Sequence, residues 1–227
     1  MLDVLVVCEG QTEREFCRSV IQPYLAMNGI ALAGTLVGRP QQKRGGIRPW
    51  QVYRNELLRL AKERSDRKLA VLVDFYAMPD CWPGRASAGK LPIDRRGSHV
   101  EDELRNDLSV ELRDRFIPCI QFHEFETLLF VDPELSALSI AVAGSRSSPE
   151  NVAQEMINIR DEFDGFIERI NDSPETAPSK RILEIVPGYD KVAFGVTATT
   201  DVGVDGLRSG CPWLDRWLTE LQKLGKA

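Results

Sequence analysis

Short apolar runs in this chain repeatedly end in an acid, and this pattern limits the folds open to it. Val4 to Cys8 ends in Glu9, Leu69 to Val73 ends in Asp74, and Phe116 to Phe122 runs into His123-Glu124-Phe125-Glu126. Unbroken runs of this length, rich in β-branched residues, read as buried strands. Ile30 to Val37 is a further strand. Between the strands, apolar residues recur at helical spacing, as Phe16, Val20, Ile21, Tyr24 and Leu25 and then as Trp50, Tyr53, Leu57, Leu60 and Ala61. Strands that alternate with helices predict an α/β fold with a mainly parallel sheet and right-handed crossovers. In such sheets, ligands bind outside the carboxyl ends of the strands. Glu9 and Asp74 are therefore expected on one rim, where two carboxylates repel unless a cation compensates. Hard oxygen ligands of this kind suit Mg²⁺ or Mn²⁺. The competing reading makes Glu9 a loop acid and Glu13 a complement to the helix dipole.

Several local signals refine this outline. Gly10 allows a tight turn, and Thr12 with Glu15 fits a capping box opening the first helix. Pro23 predicts a kink or a last turn, and Asn28-Gly29 a stop. The loop from Gly38 to Arg48 carries Arg39, Lys43, Arg44 and Arg48 among glycines, which fits either a solvated connector or a track for a phosphate backbone. Residues 76–97 are rich in Pro and Gly and predict a long functional or covering loop. A charged helix over about 98–109 follows, with Glu101, Asp102 and Glu103 on a solvated face. Pro118 marks an edge strand or a strand start. Glu124 and Glu126 point to different faces if helical, so one of them is expected to reach the site. His123 reads as a hydrogen-bond partner of a neighbouring carboxylate more readily than as a metal ligand.

A helix is predicted over 149–170, capped by Ser148 and Pro149, and another from Pro178 with Ser179 as its cap. Lys180 and Arg181 sit where a helix start ordinarily prefers acids, and a cationic pair beside exposed amides suits a phosphate. Gly203, Gly206 and Gly210 suggest a turn region before a last helix from Pro212. No domain boundary is evident, so residues 1–227 read as one α/β domain with a helical carboxyl-terminal extension from about 149. The formal net charge of −5 gives no general case for nucleic acid or membrane affinity. The five cysteines show no CxxC pairing, and three of them lie within apolar runs, which suits reduced, buried thiols. With no basic-then-apolar leader and no long apolar segment, the expectation is a soluble, cytoplasmic protein with no membrane partner.

Taken together, Glu9-Gly10-Gln11-Thr12-Glu13, Asp74-Phe75-Tyr76 with Pro79, Gln121 to Glu126, and Pro178-Ser179-Lys180-Arg181-Ile182 with Tyr189 and Lys191 resemble the domain-of-unknown-function family 4276. That family is similar to TOPRIM domains, in particular those of overcoming-lysogenization nucleases, often encoded beside ATPases in prokaryotic defence loci. The resemblance implies a Mg²⁺- or Mn²⁺-dependent nuclease with Glu9, Glu13 and Asp74 as metal ligands and Lys180 near the scissile phosphate. It also implies nucleic acid as substrate and an ATPase as partner. Tyr76 stands where the family's Asp-x-Asp has its second aspartate, and Glu124 or Glu126 is the candidate replacement. A non-catalytic TOPRIM-like module that binds a partner protein or nucleic acid is the alternative.

Overall fold

The valine-rich run forms β1 (Leu2–Cys8), which lies inside a four-stranded sheet. The structure is a computed structural model and describes residues 2–38, 45–121, 124–143, 148–170 and 176–225. After β1, the first helix begins as α1 (Gln11–Phe16), passes through a π-helical turn at Cys17–Ile21 and continues as α2 (Gln22–Ala26). Pro23 falls at the start of α2. The widened turn before it absorbs the hydrogen bond that proline cannot donate. β2 (Ile30–Leu36), α3 (Trp50–Glu63) and β3 (Lys68–Asp74) follow in sequence. Next come α4 (Arg85–Ala88), α5 (Ile93–Asn106), α6 (Val110–Arg113) and β4 (Cys119–Gln121).

The strand order is β2-β1-β3-β4 and every pairing is parallel. β4 is shorter than its apolar run and forms an edge, beginning directly after Pro118. The proline has no N–H for a ladder. In the middle of the sheet, Val4, Val6, Val7 and Leu69 to Val73 have almost no exposure. One face is covered by Trp50, Tyr53, Leu57 and Leu60 of α3 together with Trp82 and Phe116. The fold is thus α/β with an all-parallel sheet flanked by helices.

Several local expectations change. The expected covering loop contains α4, and α5 starts at Ile93, five residues before the predicted helix. Glu101, expected on a solvated face, is buried; its Oε1 accepts the Ile120 N–H at 3.0 Å and its Oε2 lies 3.1 Å from the Arg216 guanidinium. This carboxylate ties α5 to the β4 edge and to the last helix.

The chain divides into two compact units, Met1–Phe122 with Arg216–Ala227, and His123–Asp215. The second unit is built of helices: a 3-10 helix (Phe125–Phe130), α7 (Pro133–Ile140), α8 (Pro149–Asp161), α9 (Pro178–Ile185) and α10 (Val196–Gly210). Its helical part therefore begins well before residue 149. The predicted helix over 149–170 ends at Asp161, because Asp164 (φ 54°) and Gly165 (φ 78°) turn the backbone left-handed. The glycine-rich stretch is a helix with a break at Gly203 (φ 74°), not a turn region. Gly210 is needed there for packing, since a Cβ would sit 2.7 Å from Val131 Cγ1. The final helix, α11 (Pro212–Leu224), returns to the first unit from Arg216 onward. Trp217, Leu218 and Leu221 are buried, and Trp217 Nε1 donates to the Ile117 carbonyl at 3.3 Å.

Burial raises the Glu101 pKa from its ordinary 4.5 to about 7; Arg216 and the Ile120 N–H pull the other way but are outweighed. A carboxyl with a raised folded pKa stabilises the protein below its unfolded pKa, and that contribution is lost as pH rises through the folded value. The unfolding free energy from urea titrations should therefore fall between about pH 4.5 and pH 7. The difference amounts to roughly 3 kcal/mol at about 1.4 kcal/mol per pKa unit. In Glu101→Gln this slope should flatten.

Candidate functional site

In the parallel register, Cys8 stands opposite Leu72, so the chain leaves β1 at Glu9 beside the last residues of β3. Glu9 is fixed on three sides. Its N–H donates to the Leu72 carbonyl at 3.1 Å, its carbonyl accepts from the Gly46 N–H at 2.7 Å, and its Oε2 accepts from the Asp74 N–H at 3.1 Å. Gly45 (φ +80°) allows the returning loop to close here, as a Cβ would lie 3.0 Å from the Glu9 carbonyl. Asp74 Oδ1 accepts the Tyr76 N–H at 2.8 Å, an Asx turn that holds the carboxylate over the strand end. From the Glu9–Asp74 contact and ordinary bond lengths, the two carboxylates lie within about 7 Å of each other. Glu13, not Glu15, completes the helix start: Gly10 is the N-cap and donates its N–H to Glu13 Oε2 at 2.9 Å. Thr12 is buried instead of capping.

Beneath this rim lies Tyr53, which the sequence places only on an apolar helix face. It is fully buried, stacks edge-on against Trp82 at 4.9 Å, and its hydroxyl has no hydrogen-bond partner among the described residues. Burial raises its pKa, and the charges of Glu9, Cys8 and Glu13 add to the effect. An orphaned buried hydroxyl costs about 1–3 kcal/mol, so a hydroxyl left beside acids suits a site completed by something bound. A second residue missed in the sequence is Arg85, from the Pro/Gly-rich stretch. Its Nε donates to the Phe75 carbonyl at 3.1 Å and its guanidinium stacks 4.2 Å from the Phe75 ring. No spacing signal announced it; an apolar fold around Trp82 brings it there.

Among the described residues, no three His, Cys, Asp or Glu side chains converge closely enough to hold a metal ion by themselves. The rim offers a pair of strand-end carboxylates with Glu13 nearby. Mg²⁺ keeps several waters and commonly uses one or two carboxylates plus substrate phosphate. The residues present fit that ion, and Mn²⁺, but not an all-protein cage. Arg48 is partly buried, and its carbonyl accepts from Trp82 Nε1 at 2.8 Å. Arg39, Lys43, Arg44 and His123 lie outside the described residues.

The remaining candidates belong to the second unit. Glu124 Oε2 accepts the Ser179 N–H at 3.0 Å, so this carboxylate caps α9 from outside the helix. Ser179 is not the cap; Ala177 holds that position and has no side-chain acceptor. A carboxylate at the N-terminus also relieves the local cost of the cations that follow. Lys180 is exposed and makes no ion pair among the described residues. Arg181 is held within the unit, its Nε on the Thr176 carbonyl at 3.1 Å and its guanidinium 3.0 Å from Glu162. Glu126 is 1% exposed and paired with Lys191 Nζ at 3.1 Å; burial pushes its pKa up while Lys191 draws it down. The buried Tyr189 hydroxyl has no partner among the described residues and requires Gly195, where a Cβ would be 2.4 Å away.

Removing the external cap should loosen α9. Glu124→Ala is expected to lower stability by about 1–2 kcal/mol. Glu124→Gln, which keeps an acceptor but loses the charge, should cost less than about 1 kcal/mol. Urea midpoints of the two variants at constant slope check the order.

Residues 8–222 match the model of a family described as a domain of unknown function (DUF4276). No curated protein matches the chain. Among solved structures, the C-terminal region of the Burkholderia pseudomallei OLD protein aligns at 11% identity and a TM-score of 0.48, covering 99% of each chain. Two structures of the C-terminal region of the Xanthomonas campestris pv. campestris OLD protein align at 15% and 16% identity, with TM-scores of 0.45 and 0.44. Both cover 100% of this chain and 97% of the other. No helix among the described residues is long and apolar enough to cross a membrane. With its motifs and nearly its whole length inside the matched region, the chain belongs to the DUF4276 family.

Proposed function

We propose that this protein is a Mg²⁺- or Mn²⁺-dependent phosphodiesterase of TOPRIM-like type that hydrolyses DNA or RNA. The observation that carries the reading is the pairing of Glu9 and Asp74 at the ends of adjacent parallel strands, above the orphaned Tyr53 hydroxyl. Glu9 and Asp74 would hold the ion, with Glu13 available beside them. A bound divalent ion supplies a water of lowered pKa and charge to stabilise a leaving oxygen. Glu9 is braced by the sheet and Asp74 by its turn, so the ligand oxygens are set before substrate arrives, which is what electrostatic preorganisation requires. The Tyr53 hydroxyl, which has no partner among the described residues, would be free to donate to a group bound above it and fix that group's orientation. Lys180, exposed in the second unit, is assigned to the substrate phosphate, and Glu124 to positioning the helix that carries it. Following the family resemblance, the setting is a cytoplasmic effector working with an ATPase in prokaryotic defence.

A second reading has its own support. Glu9, Glu13 and Asp74 each accept a backbone N–H, a structural role for every one of the three carboxylates, and Tyr76 occupies the place of the second aspartate. A TOPRIM-like module that binds nucleic acid or a partner protein without cleaving is consistent with that.

Two measurements separate these readings. At about tenfold excess over its dissociation constant, Mn²⁺ or Mg²⁺ should raise the wild-type Tm by about 3–5 °C, worth about 1.4 kcal/mol. Glu9→Gln and Asp74→Asn should lose that rise. On a panel of single- and double-stranded DNA and RNA, wild type should cleave with metal and Glu9→Gln should not. Wild type and Glu9→Gln that are equally inert on every substrate, while still binding partner or nucleic acid, would favour the binding module.

A further inference from the structure

We infer that the groove between α1–α2 and the edge strand β2 is a seat for the phosphate backbone of the nucleic acid, an inference that rests on the nucleic-acid reading proposed above. The groove has a volume of about 440 Å³ and is lined by Arg14, Glu15, Arg18, Gln22 and the strand residues Leu32 to Gly34. It lies wholly within the first unit.

The lining is built for an anion. Arg14, Arg18 and Gln22 recur every four residues, so their donors form a row on one helix face. At an α-helical rise of 1.5 Å per residue, which the π turn at Cys17–Ile21 somewhat shortens, the row is about 12 Å long at most, more than a single phosphate group spans and suited to successive phosphates of a strand. Arg14 is half-buried, and its guanidinium makes no hydrogen bond or ion pair with a described residue. Its neighbour Glu15 is already engaged by Arg18 Nε at 2.9 and 3.0 Å and by Ser19 Oγ at 2.9 Å. Two guanidiniums against one carboxylate leave the groove positive on a chain of net charge −5.

The Arg18–Glu15 pair does not close the groove. The Arg18 side chain is 74% exposed, and a pair so open to solvent holds weakly, so the guanidinium is able to turn from Glu15 to a phosphate oxygen. The strand side supplies the room. Ala33 and Gly34 carry little or no side chain, and a Cβ on Gly34 would lie 3.1–3.3 Å from Arg14 Cγ, Cα and carbonyl oxygen. The glycine thus lets α1 lie on β2 and sets where the Arg14 side chain begins. β2 is an edge strand, bonded on one side to β1 and to no described strand on the other. Arg14 stands one helical turn beyond Gly10, so a strand seated here runs toward the Glu9 rim.

The test measures binding by the full chain to a labelled oligonucleotide in EDTA, where no cleavage intervenes, over a range of salt. The Arg14→Gln, Arg18→Gln double variant should bind at least about tenfold more weakly, and its log–log salt slope should shrink by about 1.4–1.8, at 0.7–0.9 per phosphate contact. Glu15→Gln should bind several-fold tighter, a gain that misfolding does not produce. Binding and slope unchanged in the double variant would overturn the groove, as would wild type that binds no oligonucleotide, or polyglutamate that competes equally at matched charge. Loss of binding in the double variant, beside a wild type that cleaves nothing, upholds the groove and sinks the nuclease. Metal-dependent cleavage with binding indifferent to Arg14 and Arg18 does the reverse.

Discussion

The parallel alignment of β1 with β3 is the constraint on which the candidate site depends. Once Cys8 pairs with Leu72, the side-chain period of two and the fixed direction of both strands leave little freedom at the ends. Glu9 then continues the ladder twice over, with its own N–H on Leu72 and its side chain on the Asp74 N–H. A carboxylate that takes a backbone donor at a strand end is both a structural staple and a preset anion. The first role explains why it is held; the second is what a metal site exploits. Slipping this register by one residue would move Glu9 off both the Leu72 carbonyl and the Asp74 N–H and break both roles together.

Much of this rim is legible in the sequence because the strands are buried on both faces. Continuous apolar runs leave no ambiguity about which residues are inside, and the first polar residue after each run must be where the strand ends. Glu9 and Asp74 were readable for that reason. Tyr53 was not, since a tyrosine at helical spacing looks the same whether its hydroxyl finds a partner or is left without one. Glu101 misled for the opposite reason. In a helix full of charges, nothing local distinguishes the one acid that turns inward to meet Ile120, 19 residues on in the chain, and Arg216, 115 residues on. The cap of α9 shows the same limit: Ser179 had the right chemistry nearby, yet the acceptor came from Glu124, fifty-five residues earlier.

The second unit handles its acids differently from the first. Glu126 is buried against Lys191, where burial favours the neutral form and the lysine favours the charged one. The same unit holds the buried hydroxyls of Tyr189, Thr127 and Ser136, which have no hydrogen-bond partner among the described residues. A polar interior of this kind is expensive in a small helical unit, and its position among Glu124, Tyr189 and Lys191 coincides with the motifs that mark the family. Packing alone gives no reason to keep so many polar atoms where leucines would be more stable.

The return of α11 to the first unit has a consequence for how the chain is made. The parallel sheet is complete by residue 121, but Trp217, Leu218 and Leu221 are part of the same buried interior. On the ribosome, the early strands therefore emerge with one layer of their cover still unsynthesised, and residues 123–215 have to be translated before it arrives. The helical unit has all its residues in hand first and can fold while the older half waits. A core opened by β1 thus receives its closing helix only after a whole helical unit has intervened in the sequence.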